Sequence, residues 1–278
     1  MFCSTALAQR IERAETGLIA AGTEAANGRG NQGFVLSIAG GAACFAGDNS
    51  PFNKVVGLGF GGTPADAELA EIETAFAARG SATQVELAHL ADPEIAAALT
   101  DRGYQLVSFE NVLGRPLTDS LERITPPGVD VRLSDDGEFQ TWLNVVVEGF
   151  ANPDTQGVAS HEEFPRDVLA DATRDMAAAG AARYVALADG VVAGAASVRF
   201  ADGIAQLTGA ATAPVHRRRG VQTALLAARL ADAAAAGCDI AVVTTAPGSK
   251  SQENVQRRGF DLLYTRAILV KPAPGPTA

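Results

Sequence analysis

The sequence predicts an α/β (α+β) fold used twice along one chain. Three observations lead there. First, Arg102-Gly103-Tyr104-Gln105-Leu106-Val107 and Arg258-Gly259-Phe260-Asp261-Leu262-Leu263 align at a constant offset of 156 residues, continuing through Leu113/Leu269 and Pro116/Pro272. Second, the helix-like stretches 65–80 and 223–237 each end in a glycine and each precede an apolar strand. Third, Pro126-Pro127-Gly128, within the segment 119–130, is a rigid breaker between two structured regions. The predicted domains are therefore 1–125 and 126–278.

The elements of the first half follow from local signals. Residues 1–15, MFCSTALAQRIERAE, lack a basic start and a sustained apolar stretch, so no signal peptide is expected. A strand entering at Lys54-Val55-Val56 leads through glycines into a helix, with Thr63 expected as its cap and Pro64 as its first residue. Leu69, Ile72 and Phe76 share one face of that helix. Gln84 to Leu87 is the next strand, Asp92-Pro93 starts a second helix, and Gly103 ends it before the last strand.

In the second half, 129–133 is a short strand. Phe139, Leu143 and Val146 stand at i, i+4 and i+7 of a helix over 139–150, and 164–176 is another. Asp189-Gly190 between 184–187 and 191–200 marks a hairpin, and Asp202-Gly203 marks a second into 204–212. A helix with Leu226, Leu230 and Ala233 on one face follows, then a strand 240–243, a helix starting at Ser249-Lys250-Ser251, and the strand after Gly259. The order is β-α-α-β-β-β-α-β-α-β.

Composition narrows the chemistry. The chain has 278 residues, 47% hydrophobic and 19% charged, with a formal charge of −10. A surface this acidic repels nucleic acid and anionic lipid, so neither is an expected partner. The odd, scattered Cys3, Cys44 and Cys238 fit neither a disulfide framework nor a zinc site, and His89, His161 and His216 add no ligand spacing. No run of 18 or more apolar residues occurs. A cytoplasmic protein without a metal is the expectation.

Against this acidic background stands Pro214-Val215-His216-Arg217-Arg218-Arg219-Gly220-Val221-Gln222-Thr223. A strand, a tight basic turn with a glycine, and an amphipathic helix follow one another without a gap. The first turn of a helix has N–H groups without intrahelical partners, and its dipole favours an anion. Gly220 permits close approach and the arginines add positive charge, which together make a pyrophosphate cradle.

With Arg217, Gly220 and Gln222 at its defined positions, this stretch resembles the Arg/Gln-x-x-Gly-x-Gly/Ala coenzyme motif of the GNAT N-acetyltransferases. Gln222 departs from the small residue usual there. The resemblance spans roughly 129–271 and, through the repeat, the first half more weakly. It implies two GNAT-like domains, each a mixed, mostly antiparallel sheet flanked by helices, the first degenerate. It also implies acetyl-CoA as co-substrate and a small-molecule or peptide amine as acceptor. Ala210, Ala211 and Thr212 would splay from the neighbouring strand and pair with the pantetheine arm. Arg217, Arg218, Arg219, Gly220, Val221, Gln222 and Thr223 would hold the pyrophosphate, and Asn254 would supply a polar contact.

The catalytic residues stay unassigned. Family members often carry a carboxylate base on the strand before the motif, where Gln206 stands, and a tyrosine acid where Val255 stands. Tyr264 and Glu148 are substitutes, each also readable as a core tyrosine and a solvated carboxylate. His161, with Glu162 and Glu163, falls in a region that often walls the family's acceptor pocket, and a solvated polar loop is the blander reading. Gly57, Gly59 and Gly62 spell GxGxxG with Glu86 downstream, so a dinucleotide-binding oxidoreductase is the alternative. A non-catalytic acyl-CoA sensor is another.

Overall fold

The computed structural model describes residues 1–117, 121–152, 156–158 and 161–273, so 118–120, at the start of the segment expected to link the halves, lie outside the described residues. The chain forms two compact units, each discontinuous in sequence. The first comprises Met1–Leu113, Gln156–Phe164 and Thr244–Ala278; the second comprises Gly114–Thr155 and Pro165–Val243.

The first unit opens with α1 (Thr5–Gly28), which the sequence reading did not anticipate. Ser4 caps it by accepting the Leu7 N–H at 3.2 Å, and Ala8, Ile11, Leu18 and Ile19 form its buried stripe. Serine before an apolar series at helical spacing is the signal that would have found it. Then come β1 (Phe34–Ile38), β2 (Gly41–Phe45), β3 (Lys54–Val56), α2 (Asp66–Ala77), β4 (Thr83–Ala88), α3 (Pro93–Asp101) and β5 (Gln105–Pro116). The sheet of this unit runs β1-β2-β3-β4-β11-β5, where β11 (Asp261–Lys271) is the last strand of the chain. β3 and β4 are parallel, joined by α2; β4 and β11 are antiparallel, from Arg266 opposite Ala88 to Lys271 opposite Thr83. Phe45, Leu58, Ile72, Phe76, Val85, Ile95 and Leu99 lie in one core between sheet and helices.

The second unit carries β6 (Val129–Leu133), α4 (Phe139–Ala151), α5 (Arg166–Ala178), β7 (Ala182–Ala188), β8 (Val191–Ala201), β9 (Ile204–Thr212), α6 (Val221–Ala235) and the first residues of β10 (Ile240–Thr245). α7 (Lys250–Gln256) lies in the first unit. Here the sheet order is β10-β9-β8-β7-β6, antiparallel except for β9 with β10, which α6 connects. Both hairpin turns take the left-handed conformation that their Asp-Gly pairs favour: φ is 54° and 78° at Asp189 and Gly190, and 51° and 74° at Asp202 and Gly203. Trp142, Leu143, Val146, Val185 and Ala195 pack α4 on the sheet, and the Trp142 indole donates to the Ala196 carbonyl at 3.2 Å.

The predicted element order holds from β3 onward; α1, β1 and β2 precede it and were not predicted. β3-α2-β4-α3-β5 and β9-α6-β10-α7-β11 repeat the same sequence of elements, each with a parallel crossover. One start is corrected. The second helix begins at Asp66 with Ala65 as its cap, not at Thr63-Pro64. Glu68 reaches back to accept the Ala65 N–H at 2.8 Å, which satisfies a first-turn donor that Thr63 does not reach.

Candidate functional site

The residues expected to form the cradle, 210–223, sit on consecutive elements of the second unit. β9 pairs with β10 only over Ile204–Gln206 against Ile240–Val242, yet β9 runs on to Thr212. Ala210, Ala211 and Thr212 keep partners on the β8 side alone: Ala196, Ala195 and Gly194. A bulge separates the two stretches. Ala196 faces Ala210 while Ser197 faces Thr208, which leaves Gly209 extra, with φ of 31°.

Arg229 of α6 locks this bulge. It is 3% exposed and donates to the carbonyls of Ser197 at 2.9 Å, Thr208 at 3.4 Å and Leu225 at 3.2 Å. Burial lowers its guanidinium to about 10, partly offset by Tyr184. An arginine between Ala228 and Leu230 on an apolar helix face was the signal for this role. Gly149 of α4 closes on the other side, where a Cβ would stand 2.3 Å from that of Ala211.

Beyond Thr212 the chain makes a 3₁₀ turn at Pro214–His216 and turns sharply. Arg218 has φ of 63° and Gly220 has φ of 78°, so two left-handed residues bend the chain into α6. Gly220 is the cap and has no side chain to occupy the first-turn N–H groups, which begin at Val221. Its missing Cβ would meet Pro126 at 2.7 Å. A valine at Gly220 therefore disturbs the turn itself and does not isolate anion binding.

The three arginines have different surroundings. Arg217 donates to the Asn152 carbonyl at 3.2 Å. Arg219 pairs with Asp189 at 2.6 Å and holds that carboxyl below the usual aspartate range. Arg218 is exposed and has no ion pair among the described residues. Val221 is buried, Gln222 exposed and Thr223 half-buried. Asn254, half-buried on α7, belongs to the first unit.

The substitutes for catalytic residues are engaged elsewhere. Gln206 is 4% exposed and accepts from Arg199 at 3.1 Å. Tyr264 is a core tyrosine whose hydroxyl donates to Glu12 at 2.5 Å. Glu148 pairs with Arg166 at 2.7 Å, and Val255 is buried. The His161 side chain is 20% exposed, with Nε2 3.3 Å from Gln84 Oε1. Its loop is thus partly packed.

The glycines of the first half serve packing. A Cβ at Gly57 would stand 2.2 Å from Thr16 Oγ1, and one at Gly59 would stand 2.1 Å from the Ala91 Cβ. They precede α2 by several residues and do not form its first turn. No metal-binding group of three or more His, Cys, Asp or Glu residues occurs among the described residues, and no helix there is long and apolar enough to cross a membrane.

The first unit also holds a buried charged cluster that the sequence reading missed. Glu12, Glu86 and Arg266 are each no more than 2% exposed. Glu86 between Val85 and Leu87, and Arg266 within an apolar strand, were the signals: charges at inward strand positions. Burial works to lower Lys54, but Glu86 and Glu110 outweigh it and hold the ammonium above the lysine range. Burial, with Glu86 beside it, pushes Glu110 up to about 7.

Comparison with known proteins agrees with this architecture. Residues 147–260 match the Acetyltransferase (GNAT) family. No curated protein matches the chain. Among solved structures, a GCN5-related N-acetyltransferase from Kribbella flavida is 22% identical with a TM-score of 0.62, over 93% of this chain and 96% of that one. A tandem GNAT protein from the clavulanic acid biosynthesis pathway is 16% identical with a TM-score of 0.59, over 95% and 97%. A GCN5-related N-acetyltransferase from Sphaerobacter thermophilus is 16% identical with a TM-score of 0.53, over 76% and 66%. At these identities the likeness is one of fold, and the match to the family model covers residues 147–260. Residues 147–260 are thus similar to the GNAT acetyltransferases, and the whole chain shares the fold of solved GNAT structures, a tandem one among them.

Proposed function

We propose that the chain is an N-acetyltransferase that moves an acetyl group from acetyl-CoA to an amine by direct attack in a ternary complex. In chain order, 126–278 would be the coenzyme-binding half and 1–125 the degenerate one. The carrying observation is the start of α6: a left-handed glycine cap with no side chain of its own to bond the helix's first turn, beside the exposed Arg218. A helix N-terminus reached through a side-chain-free cap suits a diphosphate, through its dipole and its backbone N–H groups.

Each cradle residue has a part in this reading. Val221, Gln222 and Thr223 would present backbone N–H groups, and Arg218 would add charge. Arg217 and Arg219 hold the turn through Asn152 and Asp189 and would lend their remaining donors. The unpaired edge of Ala210, Ala211 and Thr212 would accept the amide-bearing pantetheine arm, as an edge strand accepts another strand. Asn254 would make the polar contact expected of it. The first half has no arginines between β3 and α2, which fits a unit that keeps the crossover without the cradle.

The acceptor attacks the thioester as a neutral amine, and the thiolate leaves without needing a strong acid, because a thiol ionises near pH 8.5. Oriented approach supplies much of the rate in such a complex. The engaged Gln206 and buried Val255 favour one second reading, an acyl-CoA sensor. Release of free CoA thiol with a panel of amines separates the two. The coenzyme site itself is tested by Arg218→Glu. It should weaken acetyl-CoA binding about tenfold or more, as loss of one charge-assisted contact and gain of repulsion require, with thermal unfolding unchanged. Equal affinity in the folded variant would overturn the assignment.

A further inference from the structure

The open edge of β9 is closed at its inner end. β9 and β10 part after Gln206 and Val242, and the bulge residue Gly209 follows shortly, then Ala210 to Thr212. Thr212 Oγ1 is buried and has no hydrogen-bond partner. Buried polar atoms are nearly always satisfied, so an orphan on an unpaired edge points to a ligand with a polar group there.

The two faces of the sheet differ at this edge. Ala195 packs with Trp142 and Val146 of α4, and Ala211 lies against Gly149 of the same helix. A Cβ at the neighbouring Gly194 would instead stand 2.5 Å from Val221 Cγ1 and 3.1 Å from Leu225 Cδ1 of α6. Successive side chains point to opposite faces of a sheet, so α4 and α6 cover opposite faces. A coenzyme held by its diphosphate at the start of α6 comes from the α6 face, and its arm runs inward from Thr212 to Ala210. Its thioester then arrives beside Gly209. There the α4 face is occupied: a Cβ on Gly209 would stand 3.7 Å from Val146 Cγ1 and 4.0 Å from Phe150 Cζ. Val146 is fully buried, whereas Phe150 is 44% exposed.

An acyl chain that continues past the thioester meets a wall in two directions. Inward, the pairing of β9 with β10 closes the edge, where Gln206 is buried and holds Arg199. Sideways stand Val146 and the ring of Phe150. We propose that Phe150 sets the acyl-chain length, so that an acetyl group fits beside Gly209 and longer acyl groups collide with the ring. This rests on the coenzyme reading above and adds to it the residue that selects the acyl group. α4 cannot easily withdraw, because Gly149 lets it close on Ala211, and overfilling a packed site by a few methylenes is costly.

The test is titration calorimetry of the full chain with CoA, acetyl-CoA and hexanoyl-CoA, for wild type, Phe150→Ala and Leu133→Ala. Leu133, exposed on β6, controls for the loss of a surface apolar side chain. Wild type should bind hexanoyl-CoA about tenfold or more weakly than acetyl-CoA. Phe150→Ala should bring the two affinities within about threefold of each other, since the excluded methylenes gain room. Leu133→Ala should keep the wild-type ratio. Thermal unfolding verifies that each variant is folded, and Phe150→Leu carries the same comparison where the alanine variant does not fold. Hexanoyl-CoA bound by wild type as tightly as acetyl-CoA overturns the proposal. A ratio unchanged in the folded Phe150 variant, or altered equally by Leu133→Ala, overturns it too. Absence of binding by all three ligands, CoA included, is a separate result: it overturns the coenzyme reading, and selection by Phe150 falls with it.

Discussion

Glu110 shows how a single side chain takes its chemistry from its neighbours. Burial raises its carboxyl from the ordinary 4.5 to about 7, and the negative Glu86 adds to the effect against the pull of Lys54 and Arg266. A carboxyl raised on folding binds its proton more tightly in the native state, so its contribution to stability is present below 4.5 and is lost as pH rises through about 7. Urea denaturation of wild type and Glu110→Gln at a series of pH values tests this. Wild type should lose stability relative to the variant between 4.5 and 7, and parallel curves would show that Glu110 does not carry the shift. None of this was legible in the sequence around Glu110, where Phe109 and Asn111 give no sign of Lys54 or Arg266. A pKa is set by charges that are close in space, and these come from four separate elements.

At the scale of the element, local signals carried far. Asp92 with Pro93, and Ser249, cap α3 and α7 as their residue types require: Asp92 accepts the Glu94 N–H at 3.0 Å and Ser249 the Gln252 N–H at 3.2 Å. Gly103 and Gly259 end those helices with φ of 88° and 81°. The turn into α6 is the most constrained junction. Gly220→Ala is expected to cost about 1–2 kcal/mol for the left-handed backbone alone, and more through contact with Pro126. Chemical denaturation measures it, and an unchanged midpoint would mean that the turn relaxes freely. The start of α2 escaped the sequence because Thr63 and Pro64 give a strong cap signal that the chain does not use. Glu68, bonded to Ala65, fixes the start instead. At the turn into α6, the motif marked the glycine that caps the helix. It did not show that Arg219 faces Asp189 or that Arg217 faces Asn152, because both partners are distant in sequence.

At the scale of the whole molecule, the end of the chain completes the first unit. β11 lies between β4 and β5, and its Arg266 sits against Glu12 and Glu86. A chain ended after Phe260 is therefore expected to lose the first unit's ordered structure. Breaking a buried ion pair alone costs about 3–5 kcal/mol, and β4 also loses its antiparallel partner. Limited proteolysis reads this directly: new cleavage within residues 1–113 is expected, and continued protection there would show that β11 is dispensable. The sequence by itself determined the element order from β3 onward, the repeat of strand-helix-strand-helix-strand, and the basic turn before α6, but not α1, β1 or β2. These depend on periodicity, caps and glycines that act within a few residues. Only the tertiary structure decided that the final strand belongs to the first unit and that four glutamates meet one arginine. Strand partners and buried charges are chosen by contacts between residues far apart in the chain, and no local spacing encodes them.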